Sequence, residues 1–432
     1  MKRVFTTTII LCLCLATQSL WSQSTVTSQP RASQKAIVGQ TIGLTEVMVT
    51  YHRPAVKERE LWGKLIPYGA VWRAGANDNT VISFSTDVSI EGKELEAGTY
   101  GLHIIPNEKG KSEVIFSKNT SAWGSYSYTP DEDALRVSIQ STDAPHYEFV
   151  TFLFEDITAT SANCALVWGK KKFPFKVEAD VHNIVFASLK NELQNRSGWT
   201  WMGWNEAANY ALQNDVNHKQ GLAWATRSVF MTPNSGNLIT KARLTAKVRN
   251  AKDEKETMDI VATILEQDLA TFNVGWQEYH GAANYLIQQK SGEKKALEWL
   301  DKSIAMKPNM SNMMTKSGLL STMGNKEEAE KVKVDAISRG TNSELNNYGY
   351  QLLFGGKLKE AVDVFAANTK KNPGDANAWD SLGEGYAKLG DKKQAIKSFK
   401  KALSLNPPAN VKANSIKVLK ELGVDYKDVL KP

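Results

Sequence analysis

The chain has 432 residues, of which 42% are hydrophobic and 23% are charged, and its formal net charge is +7. This length exceeds one ordinary compact domain and predicts two or three. The composition is typical of a folded soluble protein, and no stretch after the first 22 residues is apolar for long enough to span a bilayer.

Residues 1–22 are predicted to form a secretory signal peptide. Lys2 and Arg3 precede a short apolar run from Ile9 to Ala16, and small and polar residues follow. Cleavage after Ser22 would leave Gln23 as the first residue. An uncleaved anchor is less favoured, because the run falls short of the roughly 20 residues that a span needs. We therefore expect an exported protein, located in the periplasm or outside the cell.

The cysteines argue for a soluble product. Cys12 and Cys14 lie inside the predicted signal, and each follows a leucine rather than the small residue that lipid attachment requires. Only Cys164 remains after cleavage, so no internal disulfide can form and stability must come from burial. Cys164 stands in the apolar run CALVW, which favours a buried small side chain over a catalytic thiol.

Residues 36–180 are predicted to form an all-β domain. Short strand-like runs alternate between apolar and polar residues, and turn residues such as Glu91-Gly92, Asn107 to Gly110 and Thr142 to Pro145 separate them. Eight strands spaced in this way predict a β-sandwich or a jelly-roll-like barrel. The eight runs are EVMVTYH, TVISFSTDVSI, GTYGLHII, SEVIFS, LRVSIQ, YEFVTFLFE, CALVWG and FPFKVEA.

The segment from Trp62 to Asn79 interrupts this alternation. It reads WGKLIPYGAVWRAGANDN, with three glycines, one proline, three large aromatic residues and two cations. A loop of this length and composition is either functional or a packed Ω-loop.

The β domain resembles the domain-of-unknown-function family 2911. The motifs RP, PYG, WR followed by GAN, and AGTY occur here in the order of that family, and the resemblance covers about residues 36 to 180. The sequence departs from the family pattern at Glu58, Ala74 and Asp78-Asn79. The family occurs in exported bacterial proteins, often of the Bacteroidetes group. It has no established activity, so the resemblance implies no substrate.

The loop and the strands beside it supply candidate ligand-binding residues. Arginine forks bind carboxylates, phosphates or sugar acids, and flat aromatic side chains pack on sugar or apolar faces. The loop around Trp123 and Tyr126 to Tyr128 also suits carbohydrate contact. The alternative is structural, with the arginines paired to internal acids and the aromatics in the core. The candidates are Arg53, Arg59, Trp62, Tyr68, Trp72, Arg73, Asn77, His103 and Trp123.

Metal binding and catalysis have weaker support. His52 and His103 could lie on neighbouring strands and form a metal site with Glu113 or Glu148. However, the sequence contains no H-x-H, HExxH, CxxC, G-x-S-x-G or phosphate-loop motif. We therefore assign no catalytic residue, metal or cofactor, and a hydrolase that uses the arginines and histidines of this domain remains the least favoured alternative.

The pattern changes to a helical period near residue 180. VHNIVFASLKNELQ predicts an amphipathic linking helix over residues 181–198. Residues 199–408 follow as about six helix pairs, and residues 410–432 as a capping helix.

Two successive segments resemble the tetratricopeptide repeat and indicate an all-α superhelix. Residues 376–409 carry the W-x2-L-G-x2-Y spacing of that family, followed by its glycine, alanine, phenylalanine and proline positions. Residues 342–375 match 34 residues earlier. Small residues let paired helices approach closely, and proline ends the second helix. The matching residues of the later copy are Trp379, Leu382, Gly383, Tyr386, Gly390, Ala395, Phe399, Ala402 and Pro407.

More divergent copies lie upstream. The motif AANY occurs at Ala207 to Tyr210 and again, 75 residues later, at Ala282 to Tyr285. The segments GLAWATRSVFMTPN and ALEWLDKSIAMKPN follow with the same internal spacing. Two repeat lengths fit this interval, so a diverged pair is predicted between the two blocks.

The first helices of such repeats line a groove, and this predicts a protein or peptide partner. The alternative for each candidate residue is plain solvated helix surface. Eleven lysines between Lys388 and Pro432 are interpreted as a solvated outer face, not a nucleic-acid site, because aromatic residues do not interleave them. The groove candidates are Asn346, Asn347, Tyr350, Asp380, Ser381 and Glu384.

The favoured function is therefore a non-enzymatic exported scaffold that binds a partner through its repeats. Two alternatives concern the β domain: it binds a small anionic or carbohydrate ligand, or it is an uncharacterised hydrolase.

Overall fold

The computed structural model describes residues 30–425. These residues form two compact units, the first ending at Leu189 and the second starting at Lys190. The predicted signal peptide, with Cys12, Cys14 and the cleavage site at Ser22, lies outside the described residues, as do residues 426–432. Within residues 30–425, no helix combines the length and the apolar character needed to cross a membrane.

The first unit is an antiparallel β structure with two sheets. One sheet has six strands in the order β1-β2-β3-β6-β7-β8, and the other has four in the order β5-β4-β10-β9. The strands are β1 (Gln34–Ile42), β2 (Thr45–Arg53), β3 (Val81–Phe84), β4 (Val88–Ile90), β5 (Lys93–Leu95), β6 (Gly98–Ile105), β7 (Lys111–Ser117), β8 (Asp133–Gln140), β9 (Thr142–Glu155) and β10 (Ser161–Glu178).

The core of this unit lies between the two sheets. Val49 of β2 and Leu102 of β6 are fully buried in the same apolar cluster as Leu166 of β10. The ring of Phe116 in β7 meets that of Phe175 in β10 edge-on, with centroids 5.6 Å apart. Because these two strands belong to different sheets, the sheets pack face to face. The predicted all-β sandwich class is thereby confirmed.

The number of strands differs from the prediction. The run TVISFSTDVSI contains β3 and β4, which belong to different sheets, whereas CALVWG and FPFKVEA are parts of the single strand β10. Thr142 to Pro145, predicted as a turn, begins β9. Neither β1 nor β5 was predicted. β1 is an edge strand whose half-buried positions include Ala36 and Gln40 and whose exposed positions include Ile37, so its sequence shows no clear apolar alternation.

β10 serves two strand partners in succession. Its first part pairs with β9 as far as Lys172, and its last residues, Val177 and Glu178, pair with β4. Pro174 lies in the gap between the two ladders, where its missing N–H removes no ladder hydrogen bond. The register shifts on both sides of Gly169, whose φ of 58° places it in the left-handed region.

The rest of the described chain is helical. The first helix begins beside the β core, against which Val181 and Ile184 pack. The helices are α1 (Val181–Glu192), α2 (Trp201–Gln213), α3 (His218–Met231), α4 (Ser235–Val248), α5 (Glu254–Thr271), α6 (Trp276–Gln288), α7 (Glu293–Met306), α8 (Met310–Thr322), α9 (Lys326–Arg339), α10 (Asn342–Phe354), α11 (Leu358–Lys371), α12 (Ala376–Leu389), α13 (Lys392–Ser404) and α14 (Ala409–Glu421).

Helices α2 to α13 follow one another as six pairs, with α14 after the last pair. Helix starts are marked by side chains that accept a hydrogen bond from the third backbone N–H, as Asn234, Asn309, Thr341 and Asp375 do. Such caps satisfy N–H groups that have no partner within the helix. An all-α repeat array therefore follows the β domain, as the sequence predicts.

Each of the two clearest pairs closes around one glycine and one phenylalanine. A Cβ atom at Gly349 of α10 would lie 2.4 Å from the ring of Phe365 in α11. A Cβ atom at Gly383 of α12 would lie 2.8 Å from the ring of Phe399 in α13. Both phenylalanines are fully buried. Glycine is therefore required where the second helix presses its aromatic ring against the first.

The two AANY blocks share an internal hydrogen-bond chain. In the first block, Asn237 Nδ2 donates to Ser228 Oγ at 3.0 Å, and Ser228 Oγ donates to the Trp201 carbonyl at 2.8 Å. In the second, Asn312, Ser303 and Trp276 repeat this chain at 3.0 and 2.9 Å. The 75-residue spacing therefore extends from the motif to buried polar contacts, in which each polar group is satisfied.

Candidate functional site

Residues 54–80 connect β2 to β3 and form one wall of a cleft in the β domain. This connection is pinned to the sheet, because the backbone groups of Trp72 and Ile104 exchange hydrogen bonds of 2.9 and 2.8 Å. Ala55 forms a similar bridge to Phe149. The connection is thus a packed loop with a defined course.

Two of the predicted ligand aromatics belong to the core. Trp62 lies 4.9 Å from Phe173 and 5.8 Å from Trp72, measured between ring centroids. Trp72 stacks on Trp168 at 5.6 Å and donates its Nε1 hydrogen to the Gly75 carbonyl. These contacts anchor the loop, and Trp72 and Trp168 of this cluster also line the cleft.

The arginines near the loop have different environments. Arg53 donates through Nε to the Val150 carbonyl at 2.8 Å and through Nη2 to Thr151 Oγ1 at 2.7 Å, and so ties β2 to β9. Arg59 donates to the carbonyls of Val56 and Ala55. Arg53 is therefore structural, and Arg59 keeps one terminal nitrogen free of these backbone contacts.

Arg73 is the exception. Its Nε is buried and has no hydrogen-bond partner among residues 30–425, nor does any carboxylate of these residues form a salt bridge with it. The guanidinium lies against the loop after β7, since a Cβ atom at Gly124 would come within 2.8 Å of Arg73 Nη1. A partly buried cation without an acid beside it is unusual, because burial of an unpaired charge is costly.

Arg73 lines a cleft of about 410 Å³. Its walls combine two cations, two indole rings and two hydroxyl groups, and the described residues that line it include no carboxylate. These polar and aromatic lining residues are Arg59, Trp72, Arg73, Ser125, Tyr126 and Trp168.

His103 contacts Ser125, one of the residues that line this cleft. It lies in β6, is buried, and its Nδ1 is 2.9 Å from Ser125 Oγ. Burial lowers the pKa of His103 to about 4, against the opposing effect of Asp133, so the ring is neutral near pH 7. The loop is held again at Tyr128, which donates to Asp133 at 2.8 Å. Ser125 is thus fixed at the cleft by two neighbouring anchors.

Three of the nine predicted residues line the cleft: Arg59, Trp72 and Arg73. The other six are elsewhere. Tyr68 packs near Gly63, and Asn77 donates to the Ser33 carbonyl at 2.9 Å. Trp123 is exposed, with the Arg31 guanidinium 5.3 Å from its ring. Arg53, Trp62 and His103 support the domain from inside.

Ser125, Tyr126 and Trp168 line the cleft but are not among the nine candidates, although the sequence points to the loop from Tyr126 to Tyr128 as suited to carbohydrate contact. The Ser/Tyr-rich composition of the loop was the available signal for the first two.

The proposed histidine pair does not form. His52 lies in β2 and His103 in β6, and β3 separates these two strands in the sheet. His52 instead approaches Asp78 at 3.7 Å. Across the described part of the chain, no three histidine, cysteine or acidic side chains converge to hold a metal ion. Cys164 is fully buried, and burial raises the pKa of its thiol.

In the repeats, two predicted groove residues are inaccessible. Asp380 is 4% exposed and Ser381 is fully buried, although the sequence suggested that both point away from the packing seam. Asp380 is covered because α14 packs where a further first helix would lie, whereas Ser381 contacts the hydroxyl of Tyr350 in the preceding first helix. Asn414 donates to Asp380 at 2.7 Å and to Glu384, and Ser415 also donates to Asp380.

Tyr350 connects the preceding first helix to this network. Its hydroxyl donates to Glu384 Oε2 at 3.1 Å and lies 3.1 Å from Ser381 Oγ, whose own hydroxyl can donate to it. Asn347, three residues earlier in α10, is exposed, and Asn346 is half-buried. Of the groove candidates, those in α10 are therefore more accessible than Asp380 and Ser381 in α12.

Phe354, at the end of α10, is not among the groove residues predicted from the sequence. Its side chain is 84% exposed and stacks on Tyr350, with ring centroids 5.9 Å apart. The signal was available, because the residue 34 positions later, at the equivalent point of the next repeat, is Lys388. An apolar phenylalanine thus stands where the next repeat has a lysine.

Asp380 makes the stability of the last repeat depend on pH. Burial raises the pKa of this carboxyl from 3.8 to about 6, and the neighbouring Glu384 carboxylate acts in the same direction. Well below pH 3.8 the group is protonated in both folded and unfolded chains. Between about pH 4 and 6 the unfolded chain ionises first, so stability falls as pH rises and the loss is complete above the folded pKa.

We therefore expect Asp380→Asn to match the parent chain near pH 3 and to be more stable by up to about 3 kcal/mol near pH 8. Urea denaturation of both chains at the two pH values measures this, and the difference between them cancels other titrating groups. A stability difference that stays constant with pH would contradict the assignment.

The fold defines the chain as an all-β domain followed by helical repeats of the tetratricopeptide class. Residues 33–177 match the family described as Protein of unknown function (DUF2911), and residues 376–409 match the Tetratricopeptide repeat family. Both matches agree with the domains recognised in the sequence.

Similarity to characterised proteins is confined to part of the chain. Superkiller complex protein 3 of Homo sapiens is 33% identical over 82 residues, which is 19% of this chain and 5% of that protein. Tetratricopeptide repeat protein 37 of Xenopus laevis is 35% identical over 81 residues, with the same coverage of both chains. The chain thus spans about 5% of the length of these relatives.

Solved structures with similarity include YrrB, described as a TPR protein with an unusual peptide-binding site. It is 15% identical, with 54% of this chain and 97% of that chain covered and a TM-score of 0.21. MamA 41-end from Desulfovibrio magneticus RS-1 is 20% identical, with 36% and 93% covered and a TM-score of 0.21.

Proposed function

We propose that the protein is an exported scaffold that binds a protein or peptide along the first helices of its repeats. Tetratricopeptide repeats support a protein-binding scaffold role, and residues 376–409 match that family. The observation that carries the proposal is Phe354, an aromatic side chain that is 84% exposed at the end of a first helix.

Phe354 shares a helix face with polar groups suited to a peptide backbone. Asn347, Tyr350 and Phe354 stand at positions i, i+3 and i+7 of α10 and so lie on one side. An exposed aromatic side chain that becomes covered by a partner is a typical energetic centre of an interface. The amide of Asn347 provides a donor and an acceptor beside it.

Asparagines at an equivalent helix position add to this support. Asn205 in α2 and Asn346 in α10 are each the fifth residue of a first helix. The Oδ1 atom of each is buried without a hydrogen-bond partner among the described residues. An N–H donor from a bound segment would satisfy an acceptor whose isolation otherwise costs free energy.

Photo-crosslinking tests the proposed face. The photoreactive analogue p-benzoylphenylalanine is placed at position 354 of the full chain, and in a second chain at position 230. Phe230 is the matched control, because it is also exposed, at 69%, but lies in the second helix α3. We expect one protein to be crosslinked from position 354 in the source cells and not from position 230.

The identified partner is then titrated with Phe354→Ser and Phe230→Ser. Loss of a central aromatic contact is expected to weaken binding about tenfold or more in the first variant only. Equal affinity of both variants, or equal crosslinking from both positions, would refute the proposal that the partner binds along the first helices. The same cells test export: we expect the mature chain to begin at Gln23, and a chain that retains Met1 would contradict export by a cleaved signal.

A further inference from the structure

We propose that the cleft of the β domain binds the carboxylate group of a small organic acid, with Arg73 as the charged anchor and Ser125 as the second donor. This site belongs to the β domain alone and does not depend on the scaffold role of the repeats.

The charge of Arg73 is uncompensated within the part of the chain that the structure describes. Its Nε is buried without a partner among residues 30–425, and the described wall of the cleft contains no carboxylate. Arg53, by contrast, uses its guanidinium to hold β9. Arginine in a cleft binds an anion through two parallel N–H donors, a geometry that a carboxylate matches. The missing acid is therefore expected to come from a ligand.

Ser125 is placed beside Arg73 in the cleft wall. The loop that carries Ser125 lies directly on Arg73, because there is no room for a Cβ atom at Gly124 beside Nη1. Neutral His103 holds Ser125 Oγ at 2.9 Å. When His103 Nδ1 carries the proton, it donates to Oγ and leaves the serine hydroxyl hydrogen for a ligand oxygen. His103 is then a positioning residue that acts through Ser125.

The shape of the cleft selects among anions. Trp72 and Trp168 are buried and stacked on each other, so neither presents the open face on which a sugar ring would stack. Arg59 has committed donors to the Ala55 and Val56 carbonyls. Arg59 therefore offers the cleft only its remaining terminal nitrogen, whereas the Arg73 fork can present the paired donors that match a planar carboxylate. The volume of about 410 Å³ suits a small molecule with an apolar body.

Calorimetric titration of the full chain with benzoate tests the site, because benzoate joins one carboxylate to a flat apolar ring. Benzamide, inorganic phosphate and glucose are the comparison probes. We expect saturable binding of benzoate and at least tenfold weaker binding of the other three. If phosphate or glucose binds and benzoate does not, or if benzoate fails to bind at millimolar concentrations, the carboxylate assignment is wrong.

Matched variants locate the binding. Arg73→Gln is expected to weaken benzoate binding about tenfold or more, since a charge-assisted pair is lost. Lys109→Gln removes the same charge from an exposed position of the same domain, away from the cleft lining, and is expected to leave the affinity unchanged. Equal losses in the two variants would show a general charge effect and overturn the site. Should Arg73→Gln fail to fold, Arg73→Lys serves instead, because it keeps the charge and removes the two-pronged donor.

The role of His103 needs a separate readout. Ser125→Ala is expected to reduce benzoate affinity several-fold, and His103→Phe is expected to do the same. In the Ser125→Ala chain, His103→Phe is expected to cause no further loss. A further loss of affinity in the double variant would show that His103 acts on the fold of the cleft and not through Ser125. These titrations leave the repeat face untouched, so their failure and that of the scaffold proposal are distinguishable.

Discussion

Replacing Trp168 with alanine is expected to lower the free energy of unfolding of the β domain by about 3–5 kcal/mol. Trp168 is 1% exposed and lies in β10, where it stacks on Trp72 and meets the edge of Trp62 at 6.1 Å. Its removal leaves a cavity beneath the loop of residues 54–80. The same change removes a wall of the cleft, so loss of cleft shape is expected to accompany the loss of stability.

Hydrogen–deuterium exchange of the full chain measures this effect by region. We expect faster exchange in peptides from β6 and β10 and no change in those from α10 to α13. Trp123→Ala is the control, because Trp123 is 57% exposed and its loss is expected to cost less than about 1 kcal/mol. Comparable exchange in the two variants would contradict a central role for Trp168.

The Nε1 atom of Trp168 refines this expectation. It is buried and has no hydrogen-bond partner among the described residues. Trp168→Phe removes this unsatisfied donor together with part of the ring, and the two effects oppose each other. We therefore expect the phenylalanine variant to recover most of the stability that alanine loses.

Gly349→Ala is expected to destabilise the repeats by about 1–3 kcal/mol, although alanine is the better helix former. The added methyl group would lie 2.4 Å from the ring of Phe365, which is fully buried and cannot move aside without disturbing the pair. The steric cost outweighs a helix-propensity gain of about 1 kcal/mol. Chemical denaturation followed by far-UV circular dichroism measures the change.

Gly318→Ala provides a control of opposite sign. Gly318 also lies within a first helix, α8, but a Cβ atom there meets nothing within 4 Å. We expect this variant to be about 0.5–1 kcal/mol more stable than the parent chain. If both alanine variants stabilise the repeats, the close approach of α10 and α11 does not require glycine.

The repeats were predictable in more detail than the β domain. Local signals at a fixed period carry the repeat, since Gly383, Phe399 and Pro407 each mark one feature of a helix pair. Strands pair with partners distant in sequence. Because the sequence does not show these partners, it predicts one strand-like run from Thr80 to Ile90, although β3 and β4 within it belong to different sheets.

For the site residues too, the sequence shows the residue types but not the contacts that they make in the folded chain. Residue type pointed to arginine near the loop, but it could not distinguish Arg53, whose donors are committed to β9, from Arg73, whose Nε is unpaired. Asp380 was predicted to be accessible because its helix face was known. It is buried because α14 covers that face, and helix periodicity does not report which neighbour packs on a given side.

The sequence by itself determined the order of the parts: a β domain that matches DUF2911, followed by helix pairs that end in two clear tetratricopeptide repeats. Periodicity and spacing are local properties, so the amino-acid order is enough to reveal them. Only the tertiary structure decided that Arg73 and Ser125 meet at one cleft and that Phe354 stays uncovered. Such outcomes depend on which distant groups satisfy or cover a side chain, and these groups come together only when the chain packs.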